Sequence, residues 1–219
     1  MSTKSLDLQE EVIEELAYDP RIAADDIAVT IKEGIVTLRG TVPTFNQKWE
    51  AEDAVKRIRG IRGIADELSV DLPSTHVRTD TDIALAIERR FASNTIVPNN
   101  VKFVVKDGRV TLSGEVPWYY QAQEAAYEAR RVIGVRDVSN NITVKPVTSL
   151  KSDEIKRKIH SELQRMADLD AKSINVAVSD GTVTLSGSVR TWTERDKATQ
   201  AAWSFPGVLR VENLIGIKP

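Results

Sequence analysis

One phrase recurs three times in this chain: Glu33-Gly34-Ile35-Val36-Thr37-Leu38-Arg39-Gly40, Asp107-Gly108-Arg109-Val110-Thr111-Leu112-Ser113-Gly114 and Asp180-Gly181-Thr182-Val183-Thr184-Leu185-Ser186-Gly187. A repeat at this spacing constrains the fold more than composition does, because each copy must be one supersecondary unit of about 70 residues. The 219 residues therefore divide into three small domains, read as 1–73, 77–146 and 149–219. Short joins carrying Pro73 and Pro146 separate them.

Helical spacing opens each domain. Leu8, Val12 and Leu16, then Ile83, Ile87 and Phe91, then Ile155, Ile159 and Leu163 recur every four residues and form one apolar stripe per helix. Ser5, Asp80 and Ser152, three residues earlier, are read as N-caps. The period then falls to two, through Ile27, Val29 and Ile31, Val101, Phe103 and Val105, and Ile174, Val176 and Val178, which makes these first strands.

The recurring phrase supplies a hairpin turn at Gly34, Gly108 and Gly181, where glycine takes a positive φ without steric cost. It continues into a second strand whose inward face holds Val36 and Leu38 and their counterparts, ending at Gly40, Gly114 and Gly187. The other face, with Thr37, Thr111 and Thr184, is polar and open. A glycine on the covered face implies close approach of another backbone. The next helix is the expected neighbour, because its inward positions are small: Ala51 and Val55, Ala125 and Ala129, Ala198 and Ala202. These helices end before Gly60, Gly134 and Gly207. The last strand has an irregular middle, which predicts a bulge.

The expected fold class is therefore α+β: three tandem two-layer units, each α-β-β-α-β, with a three-stranded mixed sheet covered on one face by two helices. The expected strand order is 1-2-3, with a right-handed crossover between strands two and three.

Charge and residue usage exclude several chemistries. The net charge is −2, but residues 1–74 carry 9 basic and 15 acidic side chains, 75–147 carry 10 and 8, and 148–219 carry 11 and 9. No concentrated basic face is visible, so nucleic acid is not an expected partner. Repeats two and three nevertheless allow a modest preference for anionic surfaces. There is no cysteine, so thiolate metal sites and cysteine nucleophiles are absent. His76 and His160, the only histidines, occupy unrelated repeat positions, so neither a catalytic triad nor a metal centre is expected. Gly60-Ile61-Arg62-Gly63 spells the GxxG of an RNA-binding loop, but Asp137 and Arg210 stand at the second glycine position in the other repeats.

The turn glycine, the Val-Thr-Leu-x-Gly strand and the later glycine in three units of this order resemble the BON domain family, named for bacterial osmotically inducible and nodulation proteins. Repeats two and three match better than repeat one, where Gly63 and Ala65 are unusual and an Asn near Glu67 is missing. The resemblance implies non-catalytic domains without cofactors, often in envelope or stress-response proteins, that bind phospholipid or hydrophobic ligands. The stretch from Met1 to Asp7 runs into a charged amphipathic segment without the apolar core of an export signal. The expected compartment is the cytoplasm as written, or the periplasm if a signal was trimmed.

Function is sought where the repeats differ. Trp118-Tyr119-Tyr120 at the start of repeat two's second helix is the leading candidate for ligand or membrane contact, with Arg130 and Arg131 further along. Tyr119 shares its position with Phe45 and Trp192, which favours a structural staple there. Trp118 and Tyr120 face Thr or Asn in the other repeats and escape that explanation. Trp49 and Trp203 are further aromatic positions, expected partly exposed and over the core respectively. Two readings stand: a non-catalytic scaffold binding an anionic phospholipid surface or an envelope protein, and a module for protein contact or homo-oligomerisation through sheet edges and open faces.

Overall fold

The computed structural model describes residues 3–146, 151–166 and 171–218. Val147, Thr148 and Ser149 of the second join lie outside the described residues. Repeat one comprises α1 (Thr3–Tyr18), β1 (Ile27–Lys32), β2 (Ile35–Val42), α2 (Phe45–Lys56) and β3 (Gly63–Val70). Repeat two comprises α3 (Asp80–Ser93), β4 (Lys102–Lys106), β5 (Arg109–Val116), α4 (Tyr119–Arg130) and β6 (Asp137–Val144). Repeat three comprises α5 (Ser152–Arg165), β7 (Ile174–Ser179), β8 (Thr182–Val189), α6 (Trp192–Trp203) and β9 (Arg210–Ile217).

Each repeat forms its own three-stranded mixed sheet in the order 1-2-3. In the first and third sheets the outer pairs are antiparallel and parallel respectively, so the central strand is hydrogen-bonded on both sides. Alternation follows the phrase: Val36, Leu38 and Val42 are buried, as are Val110, Leu112 and Val116, and Val183, Leu185 and Val189. The helical stripes close over them, with Val12 and Leu16, Ile83 and Ile87, and Ile155, Ile159 and Leu163 all buried. Phe91 completes the second stripe edge-on to Phe103, ring centroids 5.9 Å apart. From the second helices Ala51, Val55, Ala125, Ala129, Ala198 and Ala202 are buried, as their small size requires.

By contact the chain divides into two compact units. One holds the residues through Val55 with Gly63–Val116 and Tyr120–Thr143, and the other holds Lys56–Arg62, Pro117–Tyr119 and the residues from Val144 onward.

The hairpin turns are two-residue loops with both central residues left-handed: Glu33 and Gly34 at φ 53° and 79°, Asp107 and Gly108 at 53° and 74°, Asp180 and Gly181 at 48° and 76°. This is the primed turn whose twist matches the flanking strands.

The strand glycine has a different neighbour from the one its position predicts. A Cβ on Gly40 would stand 1.9 Å from the carbonyl oxygen of Asp26, one on Gly114 2.7 Å from that of Asn100, and one on Gly187 2.0 Å from that of Ser173. The close approach is therefore made by the residue entering the first strand and not by the second helix. The three glycines also hold φ of +137°, +131° and +119°, which side-chain-bearing residues rarely adopt.

Two further expectations are corrected. The N-caps fall elsewhere: Ser5 lies within α1, the cap of α3 is Thr79, and that of α5 is Lys151 without a side-chain bond. Thr79 forms a capping box with Asp82, whose carboxyl the Thr79 hydroxyl and amide hold below its ordinary range. Asp80 instead accepts the amides of Asp107 and Gly108, both at 2.9 Å, and pins the helix to the turn.

The last strands of repeats one and three carry no bulge, since β3 and β9 pair with their neighbours over eight consecutive residues. The irregular middle is a side-chain device. Asp66, Asn140 and Asn213 each accept the amide two residues on. Each also reaches one position of the second helix: Asp66 pairs with the Lys48 ammonium at 3.0 Å, Asn140 donates to the Ala122 carbonyl and Asn213 to the Arg195 carbonyl. The missing Asn of repeat one is thus replaced by an Asp whose donor partner is Lys48.

Gly40→Ala should destabilise the protein by about 2 kcal/mol or more through overpacking and backbone strain. Gly216→Ala, whose Cβ would sit 3.8 Å from the nearest atom, should leave the thermal midpoint nearly unchanged. Calorimetric melting of the two variants beside the parent checks this. Glu33→Asn should raise the midpoint, by up to about 1 kcal/mol of stability, because Asn tolerates the left-handed turn position better than Glu.

Candidate functional site

The five candidate residues on and beside α4 do not form one surface. Tyr120 is exposed and Trp118 half-buried at its start, whereas Arg131 follows its last residue, roughly 16 Å away by helical rise. Tyr119 is stacked on Trp203, with centroids 5.0 Å apart and planes 7° from parallel, and Trp203 packs in turn against the core of repeat three. The equivalent Trp192 donates its indole N–H to the Ile61 carbonyl at 3.1 Å. Both contacts belong to one compact unit, so aromatic residues at this repeat position serve as joints.

Arg130 is held in the other unit. Its guanidinium lies 3.8 Å from the ring centroid of Trp49 and 5.2 Å from that of Tyr127, a cation–π arrangement worth on the order of 1 kcal/mol. Burial lowers its pKa, against the attraction of Glu50. Glu50 is itself buried and pairs with Arg21 at 2.9 Å, which also grips Asp19 at 2.6 Å. The Asp19 hydrogen bond raises the Arg21 pKa. Glu50 moves up because its burial outweighs the attraction of Arg21. The asymmetry is physical: Arg21 is mostly in water while Glu50 is not, so the desolvation cost falls on the carboxylate. This cluster is a joint between α2 and α4, and it occupies Arg130.

Arg131 belongs to a different arrangement. It donates to the Tyr127 hydroxyl and lies 4.9 Å from that ring. It lines a groove of about 390 Å³ with Arg78, Arg89 and Arg90 from the N-terminal side and body of α3, and with Leu85 and Ile133. Leu85 and Ile133 are 52% and 47% exposed, so apolar groups sit among the arginines. Arg78 donates to the Thr75 and Val77 carbonyls and Arg90 pairs with Glu128 at 2.7 Å. Arg89 has no hydrogen bond or ion pair among the described residues, and Asp82 is the single acid in the lining.

Four guanidiniums around one groove match the fork geometry that binds phosphate or carboxylate. Aligned on the apolar stripes, Leu85 and Arg89 stand where repeat one has Glu10 and Glu14 and repeat three has Arg157 and Ser161. Sequence reasoning reached Arg131 but missed Leu85 and Arg89, because both lie on the helix face that periodicity assigns to solvent. Their departure from the other repeats was the available signal.

Among the described residues no group of three His, Asp or Glu is placed to hold a metal, and no helix is long and apolar enough to cross a membrane.

The Osmotically-inducible protein Y of Escherichia coli (strain K12) is 33% identical over 129 residues, covering 57% of this chain and 64% of that protein. The match thus spans just under two thirds of the relative's length. Two solved structures of CdsD, described as a structural protein of the Type III secretion system of Chlamydia trachomatis, one of them its C-terminal domain, align over 97% and 98% of this chain and 93% and 98% of their own. Each is 16% identical, with a TM-score of 0.27. The BON domain matches three times, over residues 5–71, 79–146 and 151–219. With a match in every repeat, the chain belongs to the BON domain family.

Proposed function

We propose that this chain is a non-catalytic scaffold of three BON domains that attaches to anionic phospholipid surfaces, in a role connected with osmotic or envelope stress. The observation that carries the lipid reading is the groove of Arg78, Arg89, Arg90 and Arg131 interleaved with exposed Leu85 and Ile133. Arginines meet phosphates while Leu85 and Ile133 enter the boundary between headgroups and acyl chains. The stress role rests on the osmotic inducibility that the Escherichia coli relative is named for. Tyr120, exposed at the far end of α4, adds an amphipathic contact of the interfacial type.

The alternative, a module for protein contact or oligomerisation with no lipid binding, gains only indirectly from the Tyr119–Trp203 stack and the Trp192–Ile61 hydrogen bond, which withdraw two aromatic residues from any lipid surface. In both, the aromatic residues are spent on internal joints.

Flotation with vesicles of phosphatidylglycerol and phosphatidylcholine, beside phosphatidylcholine alone, separates these readings. The parent should float with the anionic vesicles, and binding should weaken with added salt. Arg89→Ala/Arg131→Ala should reduce the bound fraction several-fold, whereas Trp118→Ala/Tyr120→Ala should reduce it less. Equal and negligible flotation on both vesicle types would eliminate the lipid reading.

A further inference from the structure

A second cationic surface lies on the opposite layer of repeat two, and its chemistry points to a different occupant. On the open face of the second sheet Lys102, Val104 and Lys106 alternate outward along β4, and Val104 is 66% exposed. Lys106 stands directly across the ladder from Arg109. Like charges directly opposite one another weaken an antiparallel pair. The frame does not require this cost, because the corresponding pairs are Lys32 with Ile35 and Ser179 with Thr182. Lys102, Lys106 and Arg109 make no hydrogen bond or ion pair with any described residue.

Lys106 and Arg109 open into a groove of about 960 Å³ that also holds Val104 and Arg136, with Phe45 and Val70 on its far wall. Lys48 there is already taken by Asp66. Asp107 and Asp137 also line the groove and oppose a dense anionic plane such as a membrane, whereas an occupant with spaced carboxylates can meet the cations one by one.

The same compact unit carries a surface of that description. Helix α1 buries Val12 and Leu16 against its own repeat, yet leaves Leu6, Ile13 and Tyr18 at 51%, 48% and 81% exposure. Asp7, Glu10, Glu11 and Glu14 are exposed around them, and no Lys or Arg occurs between residues 5 and 20. This is an acidic helix with an uncovered apolar stripe, carried in a repeat with 9 basic and 15 acidic side chains.

We infer that α1 of a second copy of this chain docks in the groove over Lys106 and Arg109, its carboxylates on the cations and its Leu6–Ile13 stripe against Val104. The contact joins two different patches, so it is heterologous and propagates head to tail.

The test uses the full chain in sedimentation equilibrium at concentrations up to roughly millimolar, at low and high salt. The parent should self-associate, less so at high salt. Lys106→Glu/Arg109→Glu and Glu10→Lys/Glu14→Lys should each weaken association about tenfold or more, with melting profiles like the parent's. An equimolar mixture of the two variants should associate again, because each supplies the charge the other has lost. A monomeric parent, association untouched by either variant, or a mixture that fails to recover while both variants melt normally would overturn the inference.

Discussion

A carbonyl oxygen resting on a glycine that has no Cβ is the contact on which each domain depends. The carbonyls of Asp26, Asn100 and Ser173 take the space that any side chain at Gly40, Gly114 or Gly187 would fill. In the first and third sheets that glycine pairs with the first residue of the opposing strand, Ile27 or Ile174. Each hairpin is therefore pinned at both ends, by a two-residue turn and by this contact. A slip of one residue would turn every inward Val and Leu toward water, so the pinning decides which face the helices cover. The twist that positive φ imposes at the glycine is part of the same arrangement and cannot be relaxed separately.

With the hairpin held, the third strand is secured by a polar residue in a place where apolar ones would be expected. Asp66, Asn140 and Asn213 serve their own strand through the amide two residues on and the second helix through one fixed position. Repeat one shows that chemistry is conserved through a change of residue type: Asp66 cannot donate, so the helix position offers the ammonium of Lys48. Such a pair satisfies polar groups at a strand–helix junction that would otherwise be costly to bury.

The scaffold was legible because backbone requirements leave residue signatures. All nine glycines singled out by repetition, Gly34, Gly40, Gly60, Gly108, Gly114, Gly134, Gly181, Gly187 and Gly207, have positive φ, and the periodicity of Val, Leu and Ala marks the buried faces. What was misread concerns partners and not positions. A missing Cβ announces that something is close, but it does not say whether a helix or a strand entrance supplies the atom. Asp80 has the composition of a cap, yet Thr79 one residue earlier was equally able to cap, and only geometry assigns Asp80 to the turn amides. An irregular apolar pattern at Asp66, Asn140 and Asn213 reads as a bulge when the helix across the layer is unseen. Arg130 ends α4 and Arg131 follows it, so adjacent residues there take different directions. One therefore lies over Trp49 and the other in the arginine groove. Convergence of Arg89 with Arg131 across four tens of residues leaves no trace in spacing.

The two surfaces of repeat two follow from its layers. A sheet with both helices on one side offers two chemically independent faces, since residues facing the helices and residues facing outward alternate along the same strand. Leu85, Arg89 and Arg131 belong to the helical layer, and Lys102, Lys106 and Arg109 to the open sheet face. Occupation of one layer does not obstruct the other. A chain held at a phosphate-bearing surface through its helical layer keeps its sheet face for another copy, and the acidic α1 belongs to the repeat least suited to that surface. Under the two proposals, negative charge segregated into repeat one and cationic faces gathered on repeat two would serve surface attachment and lateral assembly together. Three copies of one frame make such a distribution attainable, because the outward positions of each repeat can change while its glycines and buried Val and Leu residues stay as they are.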